Sequence, residues 1–126
     1  MGPVNWLAVV LAAGVAVGLA VLCYGSLARK AQTPLAKVAG LIGNFVLFMV
    51  PATMLGHNFA RIGVDTLAAR PWLYFMMSGG LALAIIIPLL TFTYARRRLP
   101  TGIALADSLF ALAIFLTMGT VFWIMS

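Results

Sequence analysis

The chain has 126 residues, 64% of them hydrophobic and 8% charged, with a mean hydropathy of +1.14. A soluble domain dresses its surface with about 25% charged residues, so most of this surface must face an apolar solvent, and the bilayer is the one available. Eight Lys and Arg against two acids give a net charge of +6, but the basic residues sit in short runs between apolar stretches, without a groove-reading helix or an aromatic RNA-binding motif, which excludes nucleic acid as the partner.

The first apolar stretch covers residues 4–24. Asn5 stands where a helix cap is wanted. The opening Met-Gly-Pro-Val-Asn lacks the positive region of an export signal, so the segment is expected to be a retained helix. Gly14 and Gly18 form a Gly-x-x-x-Gly pair that lets two helix backbones approach closely, within this chain or between chains. The single cysteine, Cys23, rules out an internal disulfide and reads as a small apolar residue. A loop then carries Arg29 and Lys30, with Lys37 just beyond it.

The second stretch, 35–55, holds Asn44 at its middle and Pro51 further on. An amide at that depth needs a partner, so Asn44 is expected to hydrogen-bond across the bundle or between subunits, or else to meet a substrate. Pro51 predicts a kink. The Gly56-His57-Asn58 run ends the helix in this reading. It leaves His57 as an interfacial, hydrogen-bonded residue with no second ligand at metal-binding spacing.

The third stretch covers 71–94, opening at Pro71, which suits a first helical position. Gly79 and Gly80 provide a second point of close approach, and Pro88 a second kink. Arg96, Arg97 and Arg98 follow. The fourth stretch, 102–125, carries Asp107, the only acid able to lie inside a spanning segment. Intramembrane carboxylates are costly and often functional. Near a helix start and close in sequence to three arginines, however, Asp107 is expected chiefly as a salt bridge or helix-end anchor, with an ion or proton site as the alternative.

Each stretch is close to the ~20 residues that span a ~30 Å hydrocarbon layer as a helix. Continuous runs such as 81–90 are incompatible with the alternating strands of a membrane barrel. The predicted fold is therefore all-α, a single integral membrane four-helix bundle with short loops. Arg29, Lys30, Lys37, Arg96, Arg97 and Arg98 outnumber Arg61 and Arg70 by six to two across the alternate loops. The excess marks the first and third loops as cytoplasmic and both termini as outside. The aromatic residues agree, since Trp6, Trp72 and Trp123 fall at one end of the helices and Tyr24 and Tyr94 at the other.

The run Asn5-Trp6-Leu7-Ala8-Val9, a small-residue-rich first helix ending Cys23-Tyr24-Gly25, and a last helix opening Ala106-Asp107 resemble the bacterial membrane proteins grouped as domain-of-unknown-function family 1761. The resemblance covers most of the chain and implies a compact four-helix protein of a bacterial inner membrane. It implies no substrate. This chain has Cys23 where that family often has Trp, and a more basic first loop.

Catalytic equipment is sparse. There is no Ser/His/acid or Cys/His set, no phosphate-cradling loop, no pair of acids and no paired His for haem, so neither enzyme activity, cofactor nor metal is expected. The leading expectation is a non-enzymatic homo-oligomer, or an accessory subunit with a membrane-protein partner, embedded in the lipid bilayer. The alternative is a small oligomeric transporter or channel with Asn44, Pro51, Pro88 and Asp107 along its path and His57 as a further candidate for it.

Overall fold

A computed structural model describes residues 2–24 and 33–126. Arg29 and Lys30, two of the expected topology anchors, lie outside the described residues. Four helices are long and apolar enough to cross a membrane: α1 (Trp6–Tyr24), α2 (Pro34–Ile62), α4 (Trp72–Arg96) and α5 (Thr101–Ile124), with a short α3 (Val64–Ala69) between the second and third of these. The fold is an all-α four-helix bundle.

Asn5 caps α1 as expected. Its side-chain oxygen accepts from the Ala8 N–H at 3.1 Å, and its amide donates to the Met125 carbonyl at 3.3 Å, joining the first helix to the end of the last. The inner face of α1 is Ala8, Val9, Ala12, Ala13 and Ala16, all fully buried. Because these residues recur at helical spacing and are small, α1 can press against two neighbours, α2 on one side and α5 on the other.

Helix α2 starts under a cap from Thr33, whose hydroxyl accepts from the Ala36 N–H at 3.3 Å, with Pro34 in the first turn. Its 29 residues make a rod about 43 Å long. It runs through Gly56-His57-Asn58 and ends at Gly63, where φ is +90°. Gly56 is not a stop signal. A Cβ there would stand 2.7 Å from Val9 Cγ2, so the glycine lets α1 and α2 close together while the helix continues. The segment expected as a simple loop then forms α3, anchored by buried Leu67.

Helix α4 is one continuous span with a widened turn at Ala82–Ile86, closed by the Ile87 N–H reaching back to the Ala82 carbonyl five residues earlier. Pro88 follows immediately. A proline has no N–H to give and crowds the carbonyl four residues before it, and the wide turn lies directly before the position at which the sequence predicted a kink. Pro71 takes helical dihedrals just before the helix, its carbonyl accepting from the Tyr74 N–H at 3.2 Å. Helix α5 begins after Pro100.

Helices α4 and α5 meet through small residues. Ser78, Gly79 and Gly119 are buried, and Ser78 donates its hydroxyl to the Tyr74 carbonyl at 2.7 Å, so its burial leaves no donor unpaired. At the tryptophan end, Phe59 of α2 packs on Tyr74 of α4 with ring centroids 4.8 Å apart and on Phe122 of α5 at 5.1 Å. The core centres on Val9, Leu55, Ile114 and Met118. Of the glycines expected to mediate packing, Gly79 meets Leu116 of α5, whereas Gly14, Gly18 and Gly80 have no other described residue within 4 Å of a Cβ placed there.

Candidate intramembrane groove

The helix order around the bundle is α2, α1, α5, α4, which leaves α2 and α4 as the two outer members. They meet at the tryptophan end through Phe59 and Tyr74 and frame a groove of about 420 Å³. Asn44, Leu47, Pro51 and Met54 of α2 form one wall, Leu81 and Ile85 of α4 the other, and Phe115 of α5 the floor. The groove coincides with the irregular points of both walls, Pro51 in α2 and the widened turn in α4. At Pro51 the missing N–H leaves the Leu47 carbonyl without its usual helical donor.

Asn44 is 6% exposed. Ten residues into α2, it lies about 15 Å from that helix's start, near the middle of the span. It makes no hydrogen bond to another described residue, contrary to one of the two structural expectations for it. What access its amide keeps is to the groove it lines. Asn44 is therefore a polar group set on an otherwise apolar wall, and no buried polar side-chain atom among the described residues is left without a partner.

A second hollow of about 320 Å³ adjoins the first, since Phe48, Ile86 and Phe115 belong to both. It runs between α4 and α5 toward the end of the bundle that carries Lys37 and Arg96, Arg97 and Arg98. Its polar residues are Tyr24, Tyr94 and Asp107. Asp107 is six residues into α5, about 9 Å from the helix start, and accepts hydrogen bonds from both phenols: from Tyr94 at 2.5 Å through one oxygen and from Tyr24 through the other. The carboxylate thereby ties the ends of α1 and α4 to the beginning of α5. Phe110 completes the wall, its ring 4.5 Å from that of Tyr24 and nearly perpendicular to it.

This arrangement corrects the expected salt bridge. Arg96, Arg97 and Arg98 are exposed, and among the described residues the carboxylate is held by phenols instead. Arg98 takes a positive φ of 55° as the chain turns out of α4. Tyr24 and Tyr94 were legible as an aromatic pair at one face. What the sequence did not signal was that both hydroxyls converge on a carboxylate one turn and a half into another helix.

His57 is not part of this trough. Its Nδ1 donates to the Thr53 carbonyl at 2.9 Å, and its ring meets Trp6 edge-on at 5.9 Å, at the opposite end of the bundle. Asn44 and Asp107, by contrast, line adjoining parts of one trough. Cys23 is exposed. Among the described residues no three His, Cys, Asp or Glu gather as metal ligands.

No family model, curated protein or solved structure matches this chain.

Proposed function

We propose that this chain is a non-enzymatic membrane protein that takes an apolar or amphiphilic molecule from the bilayer into the trough between α2 and α4, and that the trough is the substrate path of a small transporter. The supporting observation is Asn44, nine-tenths buried at mid-span, lining an apolar groove of ligand size without a hydrogen-bond partner among the described residues. Ligand sites have this character, an apolar concavity of about 300–1,000 Å³ with a few placed polar groups. Because four helices leave the trough open toward lipid, a sealed path requires a second copy.

Native mass spectrometry of the protein released from mild detergent tests the binding step. The wild type should retain a lipid-sized adduct, and filling the groove with Met54→Trp or Ile85→Trp should remove it. An adduct that survives both substitutions, or none in the wild type, counts against the reading.

A second reading, an oligomeric or accessory subunit of a membrane assembly, is favoured by Gly14 and Gly18. Both are exposed on α1, with no other described residue within 4 Å of a Cβ placed there, which suits close approach by a helix of another chain. Disulfide capture through Gly18→Cys in a Cys23→Ser background should trap a covalent dimer. A protein that stays monomeric throughout would remove this reading.

Orientation and origin belong to the same proposal. The six-to-two excess of basic residues in the first and third loops supports both termini lying outside. The likeness of Asn5–Val9 and Ala106-Asp107 to family 1761 supports a bacterial inner membrane.

A further inference from the structure

We infer that the ligand of this trough is an amphiphilic cation, its ammonium group held at Asp107 among the rings of Tyr24, Tyr94 and Phe110, and its hydrocarbon tail laid past Phe48, Ile86 and Phe115 toward Asn44. The inference rests on the binding reading above and adds the chemical class. Three observations carry it.

The first is charge. Asp107 is the one acid that lines the trough, and the other acid of the chain, Asp65, sits exposed in α3. No Lys or Arg among the described residues lines either hollow. Among the described residues the lining of the trough therefore carries one acid and no base, although the protein as a whole carries +6. An anionic headgroup would meet a carboxylate there, and a neutral one would gain nothing from its charge.

The second is the manner in which Asp107 is held. Two phenol hydroxyls donate to it, one to each oxygen. Both hydrogens come from neutral groups, so the carboxylate is stabilised without being neutralised. A carboxylate offers about four acceptor directions, of which the described residues use two. The same two tyrosines, with Phe110, bring aromatic rings around the site, and the faces of such rings attract ammonium groups within about 6 Å.

The third is continuity. The hollow at Asp107 and the groove at Asn44 share Phe48, Ile86 and Phe115 as walls, so a molecule with its head at the first has an apolar channel for its tail. Hollows of about 320 and 420 Å³ exceed what a bare inorganic cation needs. They fit a head and a chain.

The test measures binding to the protein in phosphatidylcholine nanodiscs, corrected with empty discs, for three probes that share one tail: dodecyltrimethylammonium, 1-dodecanol and dodecyl sulfate. The cation should bind about tenfold or more tighter than the alcohol, and the sulfate most weakly. Asp107→Asn should abolish the preference for the cation while leaving dodecanol binding in place. Equal binding of cation and alcohol, unaltered in Asp107→Asn, overturns the inference while leaving the binding reading intact. No binding of any probe above empty discs removes both. Should Asp107→Asn bind neither probe, the charge-retaining Asp107→Glu decides: a preserved preference for the cation supports the inference, and equal binding of the two overturns it.

Discussion

Gly119→Ala should destabilise the bundle by about 2 kcal/mol, and the figure follows from two opposed effects. A Cβ at Gly119 would press against the Ser78 hydroxyl oxygen and stand 2.9 Å from the Tyr74 carbonyl oxygen and 3.0 Å from Ser78 Cβ. None of these can swing away. The carbonyl is backbone, and the hydroxyl is tied to that carbonyl at 2.7 Å. Relief therefore requires α4 and α5 to separate, and forced overpacking of this kind costs about 1–3 kcal/mol, here near the upper end. Against it stands the gain of about 1 kcal/mol from replacing glycine by alanine within a helix. Gly80→Ala is the internal control, since a Cβ there meets nothing within 4 Å and only the helix-forming gain of up to about 1 kcal/mol applies. The two variants should thus differ by about 3 kcal/mol. Reversible unfolding in mixed micelles, followed by helical circular dichroism as sodium dodecyl sulfate is raised, gives the comparison. Equal stability of the two would refute the close approach of α4 and α5 at Gly119.

Tyr94→Phe should cost about 1.5–3 kcal/mol in the same assay, the range for a hydrogen bond to a charged group; Tyr24→Phe should cost less, since Tyr24 is 39% exposed, and no loss in either variant would reject the clamp on Asp107. Asn44→Leu should raise stability by up to about 1 kcal/mol because it replaces a largely buried amide on an apolar wall with an apolar side chain; a fall would mean that the amide is bonded in the membrane. For orientation, in a Cys23→Ser background, cysteines at Gln32 and Leu99 should resist a membrane-impermeant thiol reagent in intact cells while one at Thr66 reacts, and reaction at Gln32 would reverse the topology. Replacing Arg96, Arg97 and Arg98 with Gln would leave three basic residues facing two and should yield mixed orientations, which complete labelling at Thr66 would contradict.

The four spanning helices were legible in the sequence because a span is a local property: some twenty apolar residues in a row declare it wherever the neighbours lie. The Asn5 cap was legible for the same reason. What depends on which helix meets which was not. Gly56 looks like a helix stop in isolation and acts as a packing site because Val9 happens to face it. Gly14 and Gly18 carry the familiar spacing yet face outward, while Gly119, in no motif, is the glycine of α5 at which a Cβ would collide with Ser78 and Tyr74 of α4. Pro88 announced a departure from the regular helix, but not its form, the widened turn over Ala82–Ile86 just before it.

The candidate site divides along the same line. Asn44 and Asp107 stood out individually, because polar groups inside apolar runs are expensive. Their membership of one trough could not be read, since it requires α2 and α4 to be the outer members of the bundle. Nor could the partners of Asp107. Proximity in sequence pointed to the three arginines, whereas the phenol of Tyr24 arrives from a residue 83 positions away.

Photo-crosslinking tests the central claim, that the opening between α2 and α4 receives a molecule from the bilayer, most directly. A dodecyltrimethylammonium analogue with a diazirine at the tail end is irradiated with the protein in nanodiscs, and the adducts are located by peptide mapping. The account predicts adducts concentrated on the groove residues of α2, between Asn44 and Met54, and of α4, between Leu81 and Ile86, with Asn44→Leu and Ile85→Trp redistributing them. Adducts spread over outward-facing positions such as Leu22, Val46 and Leu109, in proportion to their exposure to lipid and unaltered by either substitution, would contradict it.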